Sequence, residues 1–561
     1  DDEEGYSGED AAGLDAFDGA KRLLVRAGRV EELEDLGEVD TGDPATLASF
    51  VGWGLAKFPA RRRALVLWDH GEGWTGFGGD DSHDGDSLEL PEIAAALSRG
   101  LASARVDRLD LIGFDCCLMG NLETMAAVAP YARWFVGSEE LAPGQGWDYL
   151  GALEALASLP GQRTEDFAST ICDRYLAWFR DHDDPTLQRE ALTATLSVVD
   201  LDRIRPVTAA LDDAAGALLA RLARDGRAAW IPIARARRDA EEYGRSEDGD
   251  TYQHDLLDLV RALEDERALE PARALRAAIE DAVHHRVAGA YRPASSGISL
   301  WFPPWIDEGQ EEVVETYPDS AASAKWASLV RAYLELQEAD ETPPDLGDAS
   351  SSSGRIAPGQ AAIVRAHVAA DDLADAWFVL GTREDDQDVL LGMYPVAALG
   401  ANLEGRFDGT WLSIGDDEGE LVAPIESAEP VPGKPGRLVV GVPTVYIPEG
   451  GDEELSVTLY FEIGAGDRKG VFLHAFEFDE AGPSEIELEE GGRLLCVYRY
   501  VTEDGDWEDV PVDPEDALEL GEDDLELVRQ DLAPGEYRVG FVVEDLAGNV
   551  AESLFEVRLG D

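Results

Sequence analysis

Hydrophobic residues recur in two different patterns along the chain. Up to residue 337, short apolar runs alternate with stretches in which apolar residues return every three or four positions, which is typical of alternating strands and helices. The runs at 63–68 and 108–114 predict buried strands, and the stretch 90–104 between them predicts a helix. A strand, a helix and a strand in this order form a βαβ unit, whose strands we expect to be parallel neighbours. The pattern therefore predicts an α/β domain over residues 1–337.

Further helices and one late strand complete the prediction for this domain. Amphipathic stretches predict helices at 121–130, 163–180, 202–224, 252–263 and 270–284. The apolar run at 297–303 predicts another buried strand.

The second pattern follows a segment without apolar periodicity. Residues 338–360 are rich in Pro, Ser, Gly and Asp, which predicts a linker. Over residues 361–561, short segments alternate between apolar and polar residues and are bounded by turn signals, so we expect an all-β region of one sandwich module or two in series. Its ending, "LAPGEYRVGFVVEDLAGNVAESLFEVRLG", resembles the last hairpin of an immunoglobulin-like module.

The charge of the chain excludes several classes of partner. Among 561 residues, 117 are acidic and 46 are Lys or Arg, which gives a net charge of -71. Such a surface repels nucleic acid and anionic membranes, so we expect neither as a partner. The simplest interpretation is a well-solvated surface, although the same charge also weakly attracts basic substrates where salt does not screen it.

Cysteine content and hydropathy argue against a disulfide-rich protein and against a membrane-spanning one. Four cysteines in a chain of this length do not form a disulfide framework, and Cys172 and Cys496 lie in apolar runs typical of buried thiols. No apolar run approaches the roughly 20 residues that span a membrane. Because the chain begins with Asp1 rather than Met, we expect a processed or trimmed product.

Residues with catalytic chemistry follow the two strands of the βαβ unit. His70 and Gly71 come directly after the first strand, and Cys116 and Cys117 after the second. The carboxyl ends of parallel strands meet at one edge of a sheet, so a thiol and an imidazole would lie close enough to work as nucleophile and base. The N–H groups of Gly71 and Cys117 could then hold an oxyanion. The alternative interpretation of His70 is an ordinary loop histidine.

The alternation of side chains along a strand separates the two adjacent cysteines. Asp115 and Cys117 should share one face, while Cys116 points to the other and packs. A carboxylate beside a nucleophilic thiol would raise the pKa of that thiol, so Asp115 is better suited to receive a cationic group of a substrate. The alternative is that Asp115 binds nearby backbone N–H groups.

Three motifs around these residues resemble the clostripain family of cysteine peptidases, in the clan of caspases, gingipains and legumains. They are "LWDHGEGW", "GFDCCLMGNLETM" and "VGSEELAPGQGWDY". The segments "LSVVDLDRI" and "SSGISLWFP", and the long β region, extend the resemblance over most of the chain. It implies a caspase-like α/β/α sandwich with a mostly parallel sheet, in an extracellular, periplasmic or cell-envelope protein. Family members usually begin with a further strand and helix, so we expect the N-terminal strand to be missing here.

The resemblance also assigns roles to residues of the motifs. It implies that His70 is the general acid/base and Cys117 the nucleophile, and that Asp115 forms the base of the S1 pocket, for cleavage after Arg, with Lys as a second candidate. By the same resemblance, further residues border the substrate cleft: Ser138, Glu139, Trp147 and Asp148. Some members cut themselves after a basic residue behind the histidine, but residues 71–98 contain no Lys or Arg, which argues against that route.

An acidic loop raises the question of a metal. Asp80, Ser82, Asp84 and Asp86 have the spacing of the first half of a calcium loop, but Pro91 stands where the twelfth-position Glu is expected. We therefore expect no required cofactor, and we keep Ca²⁺ as a candidate because some family members depend on it. His83 is interpreted as a surface residue, as are His284 and His285 on the surface of a helix.

Two function classes remain at this point. The first is a monomeric cysteine endopeptidase that cleaves proteins or peptides after Arg or Lys. A variant of this hypothesis is a cysteine endopeptidase that prefers another residue before the cleaved bond. The second is a non-catalytic secreted adhesion protein that binds through its β region. The paired His70 and Cys117 favour the first.

Overall fold

The computed structural model describes residues 19–560 with short gaps. The gaps are 27–28, 84, 183, 245–250, 271, 307–310, 358–359, 385–386, 398–400, 417–418, 432–433, 435, 451–453, 465–466, 480–481, 487, 502–506 and 522–524. The described residues up to Glu338 form one compact unit, and those from Ala339 onward form a second.

The first unit mixes strands and helices. Its strands β1–β12 are Ala20–Arg26, Arg29–Gly37, Ala64–Trp68, Phe77–Asp80, Asp86–Leu88, Leu109–Asp115, Ala132–Gly137, Thr195–Asp200, Glu242–Tyr243, Gln253–Asp255, Val283–Ala288 and Ser299–Trp301. Its helices α1–α12 are Pro44–Lys57, Leu90–Ala104, Leu122–Val128, Tyr149–Ser158, Thr164–Arg180, Pro185–Glu190, Ile204–Asp225, Arg227–Asp239, Leu256–Asp265, Arg273–Ala282, Glu311–Ser320 and Ala324–Glu338.

A five-stranded sheet with the order β11-β8-β7-β6-β3 forms the centre of this unit. Strands β3, β6 and β7 are parallel to one another; β8 pairs antiparallel with β7, and β11 pairs antiparallel with β8, so β11 runs in the same direction as the first three. The sheet is therefore mixed: four of its five strands run in one direction, as expected of a mostly parallel sheet, and β8 runs in the other. The apolar pattern could not reveal the difference, because a strand buried on both faces gives the same run of residues in either direction.

Both faces of the central sheet are buried. On one face, Leu111 and Val136 pack against α5, which contributes Ile171 and Tyr175. On the other face, Phe114 of β6 packs against the rings of Phe77 and Phe135. Helix α2 connects β3 to β6 as predicted; its first turn is closed by the Glu89 N–H, which donates to Glu92 Oε2 at 3.2 Å.

The end of the helix predicted at 270–284 is corrected. Helix α10 ends at Ala282, and His284 and His285 lie on β11, which pairs with β8. The His285 Nε2 atom is 2.8 Å from Asp173 Oδ1, and the His284 ring packs on Trp134. Val283 and Val287 on this strand are β-branched residues, which favour a strand over the last turn of a helix.

Among its described residues the second unit consists of strands and one short 3₁₀ turn. Its strands β13–β32 are Asp345–Leu346, Ser350–Ser351, Arg355–Ile356, Ala362–Ala369, Leu373–Glu384, Gln387–Pro395, Asn402–Phe407, Thr410–Gly415, Glu420–Val422, Ser427–Pro430, Arg437–Ile447, Leu455–Gly464, Lys469–Asp479, Gly482–Ile486, Arg493–Val501, Trp507–Pro511, Leu518–Glu519, Glu526–Asp531, Gly535–Asp545 and Val550–Leu559. Sixteen of them are connected in one hydrogen-bonded sheet, and β13, β14, β16 and β19 form a four-stranded one.

The segment 338–360 contains more structure than the linker interpretation implies. Three two-residue strands lie in it: β13 and β14 pair with β16, and β15 pairs in parallel with β32. These backbone pairings attach the segment to the second unit. The segment has too few apolar residues for a strand pattern to be visible in the sequence.

Candidate active site

The two motifs that follow β3 and β6 lie side by side. The strands are parallel, and Trp68 stands opposite Asp115 in their register. His70 and Cys117 are each two residues beyond this pair, so both lie at the same edge of the sheet. Gly71 packs directly against the cysteine loop, because a Cβ added to it would lie 2.3 Å from the Cys117 carbonyl oxygen. The parallel pairing of β3 with β6 that the βαβ pattern predicts is confirmed.

This close approach predicts the effect of a methyl group. We expect Gly71→Ala to lower the free energy of unfolding by about 1–3 kcal/mol, because the added Cβ overlaps backbone that cannot move without shifting the cysteine loop. Gly79→Ala is the matched control, since nothing lies within 4 Å of its added Cβ. Urea unfolding of both variants measures the difference; equal stability would show that the two motifs are not in contact.

The two cysteines have different surroundings. The Ala142 N–H donates to Cys117 Sγ at 3.2 Å, and this thiol is partly exposed. The Cys116 thiol is buried on the side of Gly71, whose added Cβ would lie 2.9 Å from Cys116 Sγ. Burial raises the pKa of the Cys117 thiol, and the Ala142 N–H opposes this rise. Cys117 therefore needs a base to become a thiolate.

His70 is held by its backbone rather than by its ring. Its N–H donates to Asp69 Oδ1 at 2.8 Å, and its carbonyl accepts from the Gly78 N–H at 3.0 Å. The side chain is exposed. An exposed imidazole on a fixed loop next to the cysteine loop can exchange protons with water and with a bound substrate.

Asp115 is buried and only half satisfied. Its Oδ2 accepts from the Tyr149 hydroxyl at 2.7 Å and from the Trp147 N–H at 3.1 Å. Its Oδ1 is buried without a hydrogen-bond partner among the described residues. Burial raises the pKa of the Asp115 carboxyl, whereas the Tyr149 and Trp147 hydrogen bonds lower it; the net shift is upward. A cationic group placed at Oδ1 would supply the hydrogen-bond donor that this oxygen lacks and would stabilise the negative charge of the carboxylate.

A second unpaired polar atom lies on the same side of the sheet. The Tyr175 hydroxyl of α5 is also buried without a described hydrogen-bond partner. Burial raises the pKa of Tyr175 well above its usual range, and the nearby charges of Asp115 and Cys117 add to this shift. Asp115 and Cys117 are therefore both close enough to Tyr175 for their charges to act on it. That the two side chains share one face stays a prediction.

Ser138 and Glu139 lie beneath the cysteine loop. Their stretch follows β7, and the Gly120 N–H donates to the Ser138 carbonyl at 2.5 Å. The Ser138 hydroxyl is 2.9 Å from the Thr195 hydroxyl, and Glu139 Oε2 accepts from Ser295 Oγ at 2.5 Å. Both side chains are buried. That this stretch borders the substrate cleft stays a prediction.

Trp147 and Asp148 support the surroundings of Asp115. The Trp147 ring covers Gly113 of β6, where an added Cβ would lie 2.5 Å from the ring. Asp148 is the N-cap of α4, and its Oδ1 accepts from the Gly151 N–H at 2.7 Å. The Trp147 backbone contacts Asp115, whereas the Asp148 side chain supports the helix that follows.

The sequence interpretation missed two residues that touch the central side chains. Tyr149 binds Asp115, and the Ala142 amide binds Cys117. Tyr149 is the last residue of the Gly-Trp-Asp-Tyr motif, so its position in the motif was a usable signal. The Ala142 contact is made by backbone, which leaves no signature in the sequence.

The acidic loop does not present a calcium-type ligand set in its described part. Asp80 is buried, and its oxygens accept from Thr41 and Ser82. Glu38, Asp80 and His83 place ligand atoms within 4.8 Å of one another, but Ca²⁺ takes oxygen ligands rather than an imidazole. Asp84 lies outside the described residues. Calcium binding stays a prediction, and no chemical step is assigned to it.

Comparisons with known proteins agree with the motifs. The model of the clostripain family matches residues 20–276. Clostripain of Hathewaya histolytica is 25% identical over 148 residues, which span 23% of this chain and 27% of that protein. The chain thus matches little more than a quarter of this curated relative's length.

Solved structures of C11 proteases are also similar to the chain. A secreted C11 cysteine protease from Bacteroides thetaiotaomicron, in complex with an irreversible peptide inhibitor, is 18% identical, with a TM-score of 0.42 over 55% of this chain and 85% of that chain. An inactive zymogen C11 protease from Parabacteroides distasonis is 20% identical, with a TM-score of 0.38 over 53% and 80%. No helix among the described residues is long and apolar enough to cross a membrane.

The family match covers four of the five strands of the central sheet, β3, β6, β7 and β8, together with His70, Gly71 and the loop that carries Cys117. Over residues 20–276, which carry both motifs, the chain is similar to the clostripain family of cysteine peptidases.

Proposed function

We propose that this chain is a cysteine endopeptidase that cleaves peptide bonds after Arg, and also after Lys, with Cys117 as the nucleophile and His70 as its base. The observation that carries the proposal is the buried Asp115 carboxylate at the end of β6, two residues before Cys117, which has one oxygen without a hydrogen-bond partner among the described residues. A carboxylate buried in this way is stabilised by a cation that enters its site. A substrate with a basic side chain supplies that cation.

The chemical steps follow from the order of the groups at the sheet edge. His70 takes the Cys117 proton, and the thiolate sulfur attacks the carbonyl carbon of the substrate. The N–H groups of Gly71 and Cys117 are our candidates to stabilise the resulting oxyanion. The C–N bond then breaks, His70 protonates the leaving amine, and a thioester remains on Cys117. Water, deprotonated by His70, hydrolyses the thioester and restores the free thiol.

The proposal extends to organisation and location. We infer a caspase-like arrangement for the first unit and immunoglobulin-like sandwich modules for the second, in a monomeric protein that works outside the cytoplasm. The secreted relative from Bacteroides thetaiotaomicron supports the location. Protein or peptide substrates with basic residues suit the net charge of -71, with an attraction that salt weakens.

The proposal is tested by turnover of fluorogenic peptides that differ only in the residue before the scissile bond. We expect hydrolysis after Arg and Lys, and none after Asp or Ala, because only a cationic side chain can form an ion pair with the Asp115 carboxylate. Each peptide is assayed with Ca²⁺ and with a chelator, which tests the calcium prediction in the same experiment. If neither the Arg nor the Lys peptide is hydrolysed under either condition, the proposed function is wrong.

A further inference from the structure

Tyr149 occupies a position next to the charged side chain of the site. It begins α4 directly after Asp148, and its hydroxyl donates to Asp115 Oδ2 at 2.7 Å. Its ring is stacked with that of Trp147, with centroids 6.3 Å apart and an interplanar angle of 30°. The side chain is 42% exposed, so this hydrogen bond lies at the boundary between the buried carboxylate and solvent.

The two oxygens of Asp115 have unequal surroundings because of this contact. Around Oδ2, the Tyr149 hydroxyl and the Trp147 N–H supply two donors, and an added Cβ on Gly146 would lie only 2.7 Å away. Gly146 has a φ of 66°, which favours glycine and lets the backbone approach this oxygen. No described donor contacts Oδ1. The Tyr149 hydroxyl and the Trp147 N–H thus form a clamp on Oδ2, whereas Oδ1 has no described donor and can accept one from a ligand.

We propose that Tyr149 is a positioning residue for substrate recognition, which fixes Asp115 through Oδ2 so that Oδ1 faces the cationic side chain of the substrate. This inference rests on the proposed function. It assigns Tyr149 no contact with the reacting atoms, and its effect is transmitted through the carboxylate.

The clamp has two physical consequences. It removes the rotational freedom of the carboxylate before a substrate arrives, so the substrate does not bear that entropic cost. It also stabilises the ionised form, because a hydroxyl that donates to a carboxylate favours the charge that burial disfavours. Loss of the hydroxyl should therefore raise the pKa of Asp115 further, and the neutral acid does not attract a cation.

The test is Tyr149→Phe, which keeps the ring and its stacking on Trp147 and removes only the hydroxyl. We expect kcat/KM for an Arg peptide to fall about tenfold, mainly through a higher KM, since a hydrogen bond to a charged group is lost. The acid limb of the kcat/KM profile should move to higher pH. The rate at which iodoacetamide alkylates Cys117 should not change, because this reagent carries no cation.

Tyr291→Phe is the matched control, since Tyr291 is 38% exposed and no described residue bonds to its phenol. We expect it to behave as the wild type. If the wild type cleaves Arg peptides while Tyr149→Phe retains the wild-type kcat/KM and acid limb, the positioning role is refuted and the proposed function stands. Slower alkylation of Cys117 in Tyr149→Phe would refute it as well, by showing a general structural effect. A wild type without Arg or Lys turnover would remove the function itself.

Discussion

Cys117→Ala should abolish hydrolysis of Arg peptides, with kcat reduced by at least about 10⁴-fold. The thiol is the atom that forms the covalent bond in the proposed reaction, and alanine offers no substitute nucleophile. The residual rate should be small, because it depends on direct attack by water on a peptide that is only held in the site. The measurement is turnover of the Arg peptide under conditions that saturate the wild type, together with the stoichiometry of thiol labelling in the folded protein.

The neighbouring cysteine provides the control for this prediction. Cys116→Ala should retain wild-type kcat and lower the free energy of unfolding by about 1 kcal/mol, because its buried sulfur packs next to Gly71 and takes no part in the chemistry. Burial raises the pKa of the Cys116 thiol well above its usual value, so we also expect it to resist labelling. Loss of activity in Cys116→Ala with full activity in Cys117→Ala would reverse the assignment.

Two simple rules lead from the sequence to the prediction that distinguishes these cysteines. Alternation of side chains, continued two residues beyond the end of β6, predicts that Asp115 and Cys117 share one face, and the βαβ order correctly predicts that β3 lies beside β6. Both rules depend on backbone geometry and chain connectivity, so they hold without knowledge of the rest of the fold. The hydrogen bonds of Asp115 and the contact of Gly71 with the cysteine loop fit the same arrangement.

Other parts of the structure depend on contacts between residues far apart in the chain. The carboxylate of Glu139, for example, is buried and accepts from Ser295 and the Gly297 N–H. These partners come from more than 150 residues later, and no local pattern identifies them. The direction of β8 in the sheet could not be predicted from the sequence either. Three helices separate β8 from β7, and the local pattern of hydrophobic residues does not show in which direction the chain re-enters the sheet.

Asp115→Asn should lower kcat/KM for Arg and Lys peptides by about 10²- to 10³-fold. Removal of one partner from a buried ion pair costs about 3–5 kcal/mol, and each 1.36 kcal/mol is about a factor of ten in rate. The amide keeps the shape of the side chain, and its oxygen can still accept from Tyr149 and Trp147. The loss should therefore report on the charge of the carboxylate. Steady-state kinetics with Arg, Lys and citrulline peptides measure it, and citrulline should show no such loss because it is uncharged.

Asp110→Asn is the appropriate control, because Asp110 lies on the same strand and its Oδ2 accepts from the Arg63 N–H at 2.8 Å. The amide oxygen can keep that hydrogen bond, so the variant should cleave Arg peptides within about threefold of the wild-type rate. The two substitutions are chemically identical and lie at opposite ends of β6. Only Asp115→Asn removes a charge that we expect to contact the substrate. If Asp115→Asn left Arg cleavage as intact as Asp110→Asn does, the preference for basic residues would have to come from another part of the protein.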